Sequence, residues 1–199
     1  QEAKRITGAD TVIVVMSGDY VQRGVPAIMP KRLRAEMALK CGAAAVFELP
    51  VCYASGSAEY FATGAVALLS SLGVVDCLCF GSECNDLNAL DHIADILLDE
   101  PAKYRFLLKK HLKSGLSYPA ARMQAVTEYT GNAACASVLS DPNNILGIEY
   151  LKAIKKLGSR ITPYTIKRAG AHYHDRQLSD EHLSSASAIR SLLAYSGAA

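Results

Sequence analysis

Apolar residues gather in four short continuous runs along the chain, at Thr11–Met16, Ala44–Leu49, Val74–Phe80 and Ile161–Ile166. Between the first three lie two segments with helical spacing. Lys31–Lys40 (KRLRAEMALK) is amphipathic, and Ser57–Leu72 is longer and rich in Ala and Leu. Strand-length apolar runs alternating with helices predict a parallel sheet covered on both faces. Asp86–Leu98, Ala102–Lys113 and Pro119–Tyr129 also read as helices, with no strand between them, so a helical insertion is expected over about 85–140. "SDPNNILGIEYLKAIKKLG" then resumes the alternation, with Asp141 suited to an N-cap, Pro142 to the first turn and Gly158 to the C-cap. A last helix is expected from "LSSASAIRSLL", capped by Ser184 or Ser185. "QEAKRITGAD" reads as the last turn of a helix closed by Gly8, as if the chain entered in the middle of a βα unit. The expected class is α/β, a Rossmann-like parallel sheet with a helical insertion, and residues 1–199 form a single domain that is incomplete at its N-terminus.

Composition alters this picture little, but the distribution of charge alters it more. Half of the 199 residues are hydrophobic and a fifth are charged, enough for one sizeable core, and a net charge of +2 does not by itself argue for nucleic acid. Asp76–Glu100 holds seven acids and no base, whereas Lys103–Arg122 holds six bases and no acid. A second basic stretch contains Lys155, Lys156, Arg160, Lys167 and Arg168. Such runs are either solvated helix faces or a surface for a polyanion. The six cysteines are not preceded by a signal peptide, which favours a reducing cytoplasm. Cys77 and Cys79 alternate with Leu78 and Phe80, so buried thiols are favoured over a metal cluster with Cys84.

In open parallel sheets, ligands bind beyond the carboxyl ends of the strands. Those ends carry Ser17-Gly18-Asp19, Glu48-Leu49-Pro50, Gly81-Ser82-Glu83 and Lys167-Arg168, more polarity than connectors need. The first opens a loop with a charge pair, an aromatic ring and two glycines: Gly18, Asp19, Tyr20, Gln22, Arg23 and Gly24. Gly81 would let a base or ribose approach the backbone, or is simply a turn glycine. Arg168 would clamp phosphate through its planar fork, or form a surface ion pair. Asn143 and Asn144 open a helix with amides that offer the donor and acceptor an adenine edge requires; capping explains one of them more readily than two. "SSASAIR" places Ser187 and Arg190 at a helix start, a plausible but unspecific phosphate cradle. His172 and His174 with Asp175 have unspecific spacing for a metal. There is no P-loop, no G-x-G-x-x-G fingerprint and no G-x-S-x-G elbow.

The segments "VVMSGDYVQRGVPAI", "RAEMALKCGAAAVFELP", "SAEYFATGAV", "CFGSE", "GLSYPAAR", "DPNNILGIEYLKAI", "IKRAGAHYHD" and "SASAIR" resemble, in order and spacing, the bacterial tRNA(Met) cytidine acetate ligases, a family similar to the HIGH-motif nucleotidylyltransferases. The resemblance runs from about Thr7 to Leu193. It implies a cytoplasmic ligase that activates acetate with ATP, with Mg2+ accompanying the nucleotide, and passes the acetyl group to N4 of the wobble cytidine of elongator tRNA(Met). It implies ATP contacts at Gly81, Asn143 and Arg168, and phosphate binding or site support from Asn144, Ser187, Arg190 and Arg23. tRNA is expected on the basic tract, at Lys109, Lys110 and Arg122. The resemblance further implies a strand with an H-x-G-H signature before Gln1 and more sequence after the last residue, so this chain alone is expected to be inactive. Two alternatives stay open: a cofactor-type nucleotidylyltransferase, which would not need the basic tracts, and a non-catalytic nucleotide- or RNA-binding domain.

Overall fold

In the computed structural model, which describes residues 2–168, strand and helix alternate in the order α1 (Glu2–Thr7), β1 (Ile13–Ser17), β2 (Tyr20–Val21), β3 (Val25–Pro26), α2 (Lys31–Lys40), β4 (Ala45–Leu49), α3 (Val51–Ala54), α4 (Ala58–Ser71), β5 (Cys77–Ser82), α5 (Leu87–Asp99), α6 (Ala102–Lys113), α7 (Tyr118–Thr130), α8 (Ala133–Ser137), α9 (Pro142–Lys156) and β6 (Thr162–Lys167). The chain divides into two compact units, Gln1–Ile166 and Lys167–Ala199. The predicted last helix, with Ser184, Ser185, Ser187 and Arg190, and the His172, His174, Asp175 group lie outside the described residues.

β1 and β4 pair in parallel, from Ile13 opposite Ala45 to Ser17 opposite Leu49, and β5 pairs with β6. β2 and β3 form a small antiparallel hairpin around a 3-10 turn at Gln22–Gly24. The α/β class with parallel pairing is as expected, but among the described residues the strands stand as three two-stranded sheets, with β1–β4 and β5–β6 apart from each other. A cavity of about 830 Å3 separates them, lined by Thr11–Val15 on one side and by Val74–Cys79, Ala65, Leu69 and Tyr150 on the other. The strands beside it are therefore half-buried, and Val74, expected inside a strand, is 79% exposed. The apolar run from Val74 marks the wall of the cavity, and pairing begins only at Cys77.

The core is built on α9, whose Ile148 and Leu151 join Phe80 of β5, Leu90 and Ile93 of α5 and Val126 of α7 in one buried cluster. On the same helix Ala153 and Ile154 pack against Ala62 and Val66 of α4. Burying each large apolar side chain stabilises the fold by about 1.5–3 kcal/mol. Gly147 sets the distance between helix and strand: a Cβ there would lie 2.6 Å from Cε2 of Phe80. The Phe80 and Tyr150 rings lie 5.6 Å apart, and burial pushes the Tyr150 hydroxyl up to about 12.

Two expectations need correction. α2 is amphipathic in sequence but buries no residue, and its Leu33 and Met37 stay about half exposed. The cysteines are not buried thiols: Cys77, Cys79 and Cys84 are half-buried, while Cys41 and Cys52 are exposed. Desolvation still raises the Cys79 thiol pKa, so it stays protonated at neutral pH. Among the described residues no three His, Cys, Asp or Glu side chains gather as a metal site, and no helix is long and apolar enough to cross a membrane.

Candidate functional site

The end of β5 and the start of α9 are locked together by polar groups that sequence places some 60 residues apart. Asn144 is 1% exposed, and its Oδ1 accepts from the backbone N–H of Glu83 at 2.9 Å and of Cys84 at 3.1 Å. Glu83 answers in the other direction: its carboxylate accepts from the Asn144 N–H at 3.0 Å and from Nδ2 of Asn143 at 2.5 Å. The first-turn N–H groups of a helix lack internal partners and carry the positive end of its dipole. Glu83 thus caps α9 from outside, while Asn144 caps the loop that carries Glu83.

This arrangement refines the reading of the PNN segment. Asp141 does stand at the N-cap position in extended conformation, but its side chain makes no capping bond to the helix. Its Oδ2 instead accepts from Nδ2 of Asn144 at 3.3 Å. Behind the loop, Ser82 is fully buried; its hydroxyl meets that of Thr165 on β6 at 2.6 Å and accepts from the Asn85 N–H at 3.0 Å. Gly81, between these fixed neighbours, is exposed. Gly81 thus presents bare backbone near the carboxyl end of β5, where parallel sheets leave room for a flat ligand.

A second polar group stands at the carboxyl ends of β1 and β4. The Arg34 guanidinium donates to the carbonyls of Ser17 (3.0 Å) and Gly18 and, through Nε, to that of Met29 at 3.1 Å. Lys31 bridges both Glu48 oxygens at 2.9 Å and lies 3.7 Å from Asp19, and the Glu48 hydrogen bond raises its pKa. The opening loop is therefore held at both ends. A side chain at Gly18 would strike the Glu48 carboxylate, and Gly24 turns the hairpin with a φ of 71°. In the sequence Glu48 stands out only as a strand-end residue and KRLR only as part of an amphipathic helix, so the gathering of Arg34, Lys31 and Glu48 at this strand end is seen only in the structure. The side chain of Arg23 lies outside the described residues.

Arg168 follows β6 directly and belongs to the second unit. Of the expected RNA contacts, Lys109 is exposed on α6, and Lys110 on the same helix pairs with Glu128 at 3.2 Å. Arg122 lies on α7, with its guanidinium 5.9 Å from the Tyr118 ring and its Nε buried. It does not share the open face of α6.

The model of the HIGH nucleotidyl transferase family matches residues 1–199. The chain belongs to that family. It is 50% identical over 197 residues to the tRNA(Met) cytidine acetate ligase of Acetivibrio thermocellus, covering 98% of this chain and 47% of that protein. The ligase of the same name from Thermoanaerobacter sp. is 53% identical over 190 residues, with 96% and 47% covered. The apo crystal structure of Thermotoga maritima TmcAL superposes with a TM-score of 0.92 at 42% identity, over 98% of this chain and 47% of that one. The same protein bound with alpha-thio ATP gives 0.87 at 40% identity, over 98% and 46%. The α/β fold of this HIGH nucleotidyl transferase member is thus that of the nucleotidylyltransferase type. The chain spans about half the length of the curated relatives it matches.

Proposed function

We propose that this chain is the nucleotide-binding part of an ATP-dependent acetate ligase that forms N4-acetylcytidine at the wobble position of elongator tRNA(Met). The observation that carries the reading is the β5–α9 clamp, which ties the end of β5, where Gly81 is exposed, to the helix start at Asn143 and Asn144, in a chain closely similar to a protein solved with alpha-thio ATP bound. Gly81 takes the flat face of the nucleoside. Asn143 spends its amide N–H on Glu83 and offers its amide oxygen to the exocyclic amine of adenine. Arg168, with Ser187 and Arg190, takes the phosphates, and Arg23 supports the site. Asn144 is a positioning residue, since its side chain is consumed by the loop and by Asp141.

In the reaction, an acetate oxygen attacks the α-phosphorus of ATP and pyrophosphate departs with the electron pair of the broken P–O bond. N4 of cytidine then attacks the acetyl carbonyl, AMP leaves, and N4 gives up one proton. The carboxylates near the site are already engaged: Glu83 on α9, Asp141 on Asn144, and Glu48 and Asp19 on Lys31. Among the described residues they form no cation cage, and Mg2+ accompanying ATP would supply charge to the triphosphate without one. Such an enzyme works in the cytoplasm.

The test is exchange of labelled pyrophosphate into ATP by the full-length protein, with and without acetate, followed by acetyl transfer to tRNA(Met). Acetate-dependent exchange and labelled cytidine support the reading. Exchange that needs a phosphorylated small molecule instead of acetate would favour a cofactor-type nucleotidylyltransferase, and ATP binding without exchange a binding domain.

A further inference from the structure

α6 presents an aromatic ring where a solvated helix has no use for one. Four phenylalanines occur in the chain, and Phe106, 68% exposed, is the one that stands out in solvent among the described residues. Tyr104 and Leu107 turn inward from the same helix and are buried. At helical spacing this puts Phe106 in the middle of the outer face. Lys103 precedes it by three residues; Lys109, Lys110 and Lys113 follow at three, four and seven.

The charges around the ring add to this. Several lysines elsewhere on the described surface meet carboxylates: Lys31 meets Glu48, Lys40 meets Glu36, and Lys155 meets Asp91. Arg105, Lys109 and Lys113 form an i, i+4 row of like charge, which destabilises an isolated helix. Among the described residues these three enter no ion pair. Lys110 pairs with Glu128 and Lys103 lies over the Tyr129 ring, but a face that keeps Arg105, Lys109 and Lys113 out of ion pairs around an exposed ring is complementary to a polyanion with accessible flat groups. Unpaired RNA bases offer that combination; a duplex hides the faces of its bases in its own stack. One ring surrounded by lysines lacks the broad apolar stripe that holds an amphipathic helix in a lipid surface.

We infer that Phe106 is a stacking platform for an unpaired base of the bound RNA, with Lys109, Lys113 and Arg105 neutralising the flanking phosphates. The inference rests on the tRNA reading above and specifies which part of the RNA meets α6: a single-stranded loop.

The test measures binding of full-length protein to an RNA stem-loop and to the same stem closed as a duplex, over a range of salt concentrations. Phe106→Ala is expected to weaken loop binding about tenfold, within the range for one base on an aromatic ring. It should leave duplex binding and the salt slope unchanged, while Phe106→Trp keeps or strengthens the loop complex. Lys109→Glu with Lys113→Glu should weaken both RNAs and flatten the salt slope. Phe106 is exposed and Ala is the better helix former, so loss of folding does not confuse the result. If Phe106→Ala binds the loop as wild type while the lysine variant fails, stacking is wrong and the RNA reading stands. If wild type binds neither RNA, that reading falls and the platform with it. Phe106-dependent binding to vesicles of anionic phospholipid, without loop preference, would overturn the inference in favour of a membrane.

Discussion

The β5–α9 junction and the outer face of α6 are both rich in polar residues, yet they treat them in opposite ways. At the junction, Asn144 bonds to Glu83 and Asp141, Ser82 bonds to Thr165 and Asn85, and Asn144 and Ser82 are sealed from water. On α6, three cations stay open to solvent without partners among the described residues, around an exposed ring. Buried polar groups are costly unless bonded, so a network of that kind fixes one geometry. Exposed cations gain little from neighbours and much from a polyanion. The contrast supports the two proposals: that the junction shapes a seat for a small ligand, and that α6 receives a large one.

The largest effect is expected from Asn144→Ala, which leaves the N–H groups of Glu83 and Cys84 without an acceptor. Chemical denaturation should show a loss of about 2–6 kcal/mol, from two orphaned donors at roughly 1–3 kcal/mol each. A loss near zero would mean the junction is not the locked region described here. Next comes Arg168→Ala in the full-length protein, expected to cost about 1.5–3 kcal/mol of ATP binding by calorimetry, as for a charge-assisted pair. Arg168→Lys should recover only part, since a point charge cannot reproduce the fork.

Gly147→Ala drives a methyl into Phe80, an overpacking cost of about 1–3 kcal/mol that helix propensity offsets by less than 1. Phe80→Leu should relieve that strain in the double variant, read by thermal denaturation. The smallest effect concerns the exposed Lys110–Glu128 pair. The Lys110 hydrogen bond holds the Glu128 carboxyl below its ordinary value of 4.5. A carboxylate with a depressed folded pKa contributes stability above its unfolded pKa and loses it as pH falls through the folded value. Lys110→Ala should therefore narrow the gap between neutral and acid melting temperatures slightly; no change would show the pair to be inert.

Local signals carried most of the fold. Lys31–Lys40 and Ala102–Lys113 were predicted at their observed bounds, each preceded by a proline, Pro30 or Pro101. The strands were displaced by up to three residues, because hydrophobicity marks the burial a segment expects and pairing needs a neighbour; Val74 shows the difference. The two-residue strands of the hairpin carry no periodic signal. In the candidate site, Gly81, Asn143 and Asn144 stood out because turns and helix starts leave local signatures. Glu83 and Glu48 show in the sequence only as polar strand ends; that Glu83 bonds Asn143 and Asn144, and that Lys31 meets Glu48 while Arg34 holds the Ser17 carbonyl, are contacts across the fold that leave no mark at short range.

The central claim is that the junction seats the nucleotide, and Gly81→Val tests it most directly. Gly81 is exposed and lies in a strand, where a β-branched residue fits the backbone. The variant of the full-length protein should melt as wild type does while its affinity for ATP, measured by calorimetry, falls at least about tenfold, the equivalent of 1.4 kcal/mol. Wild-type ATP affinity in a protein carrying valine at that position would contradict the account.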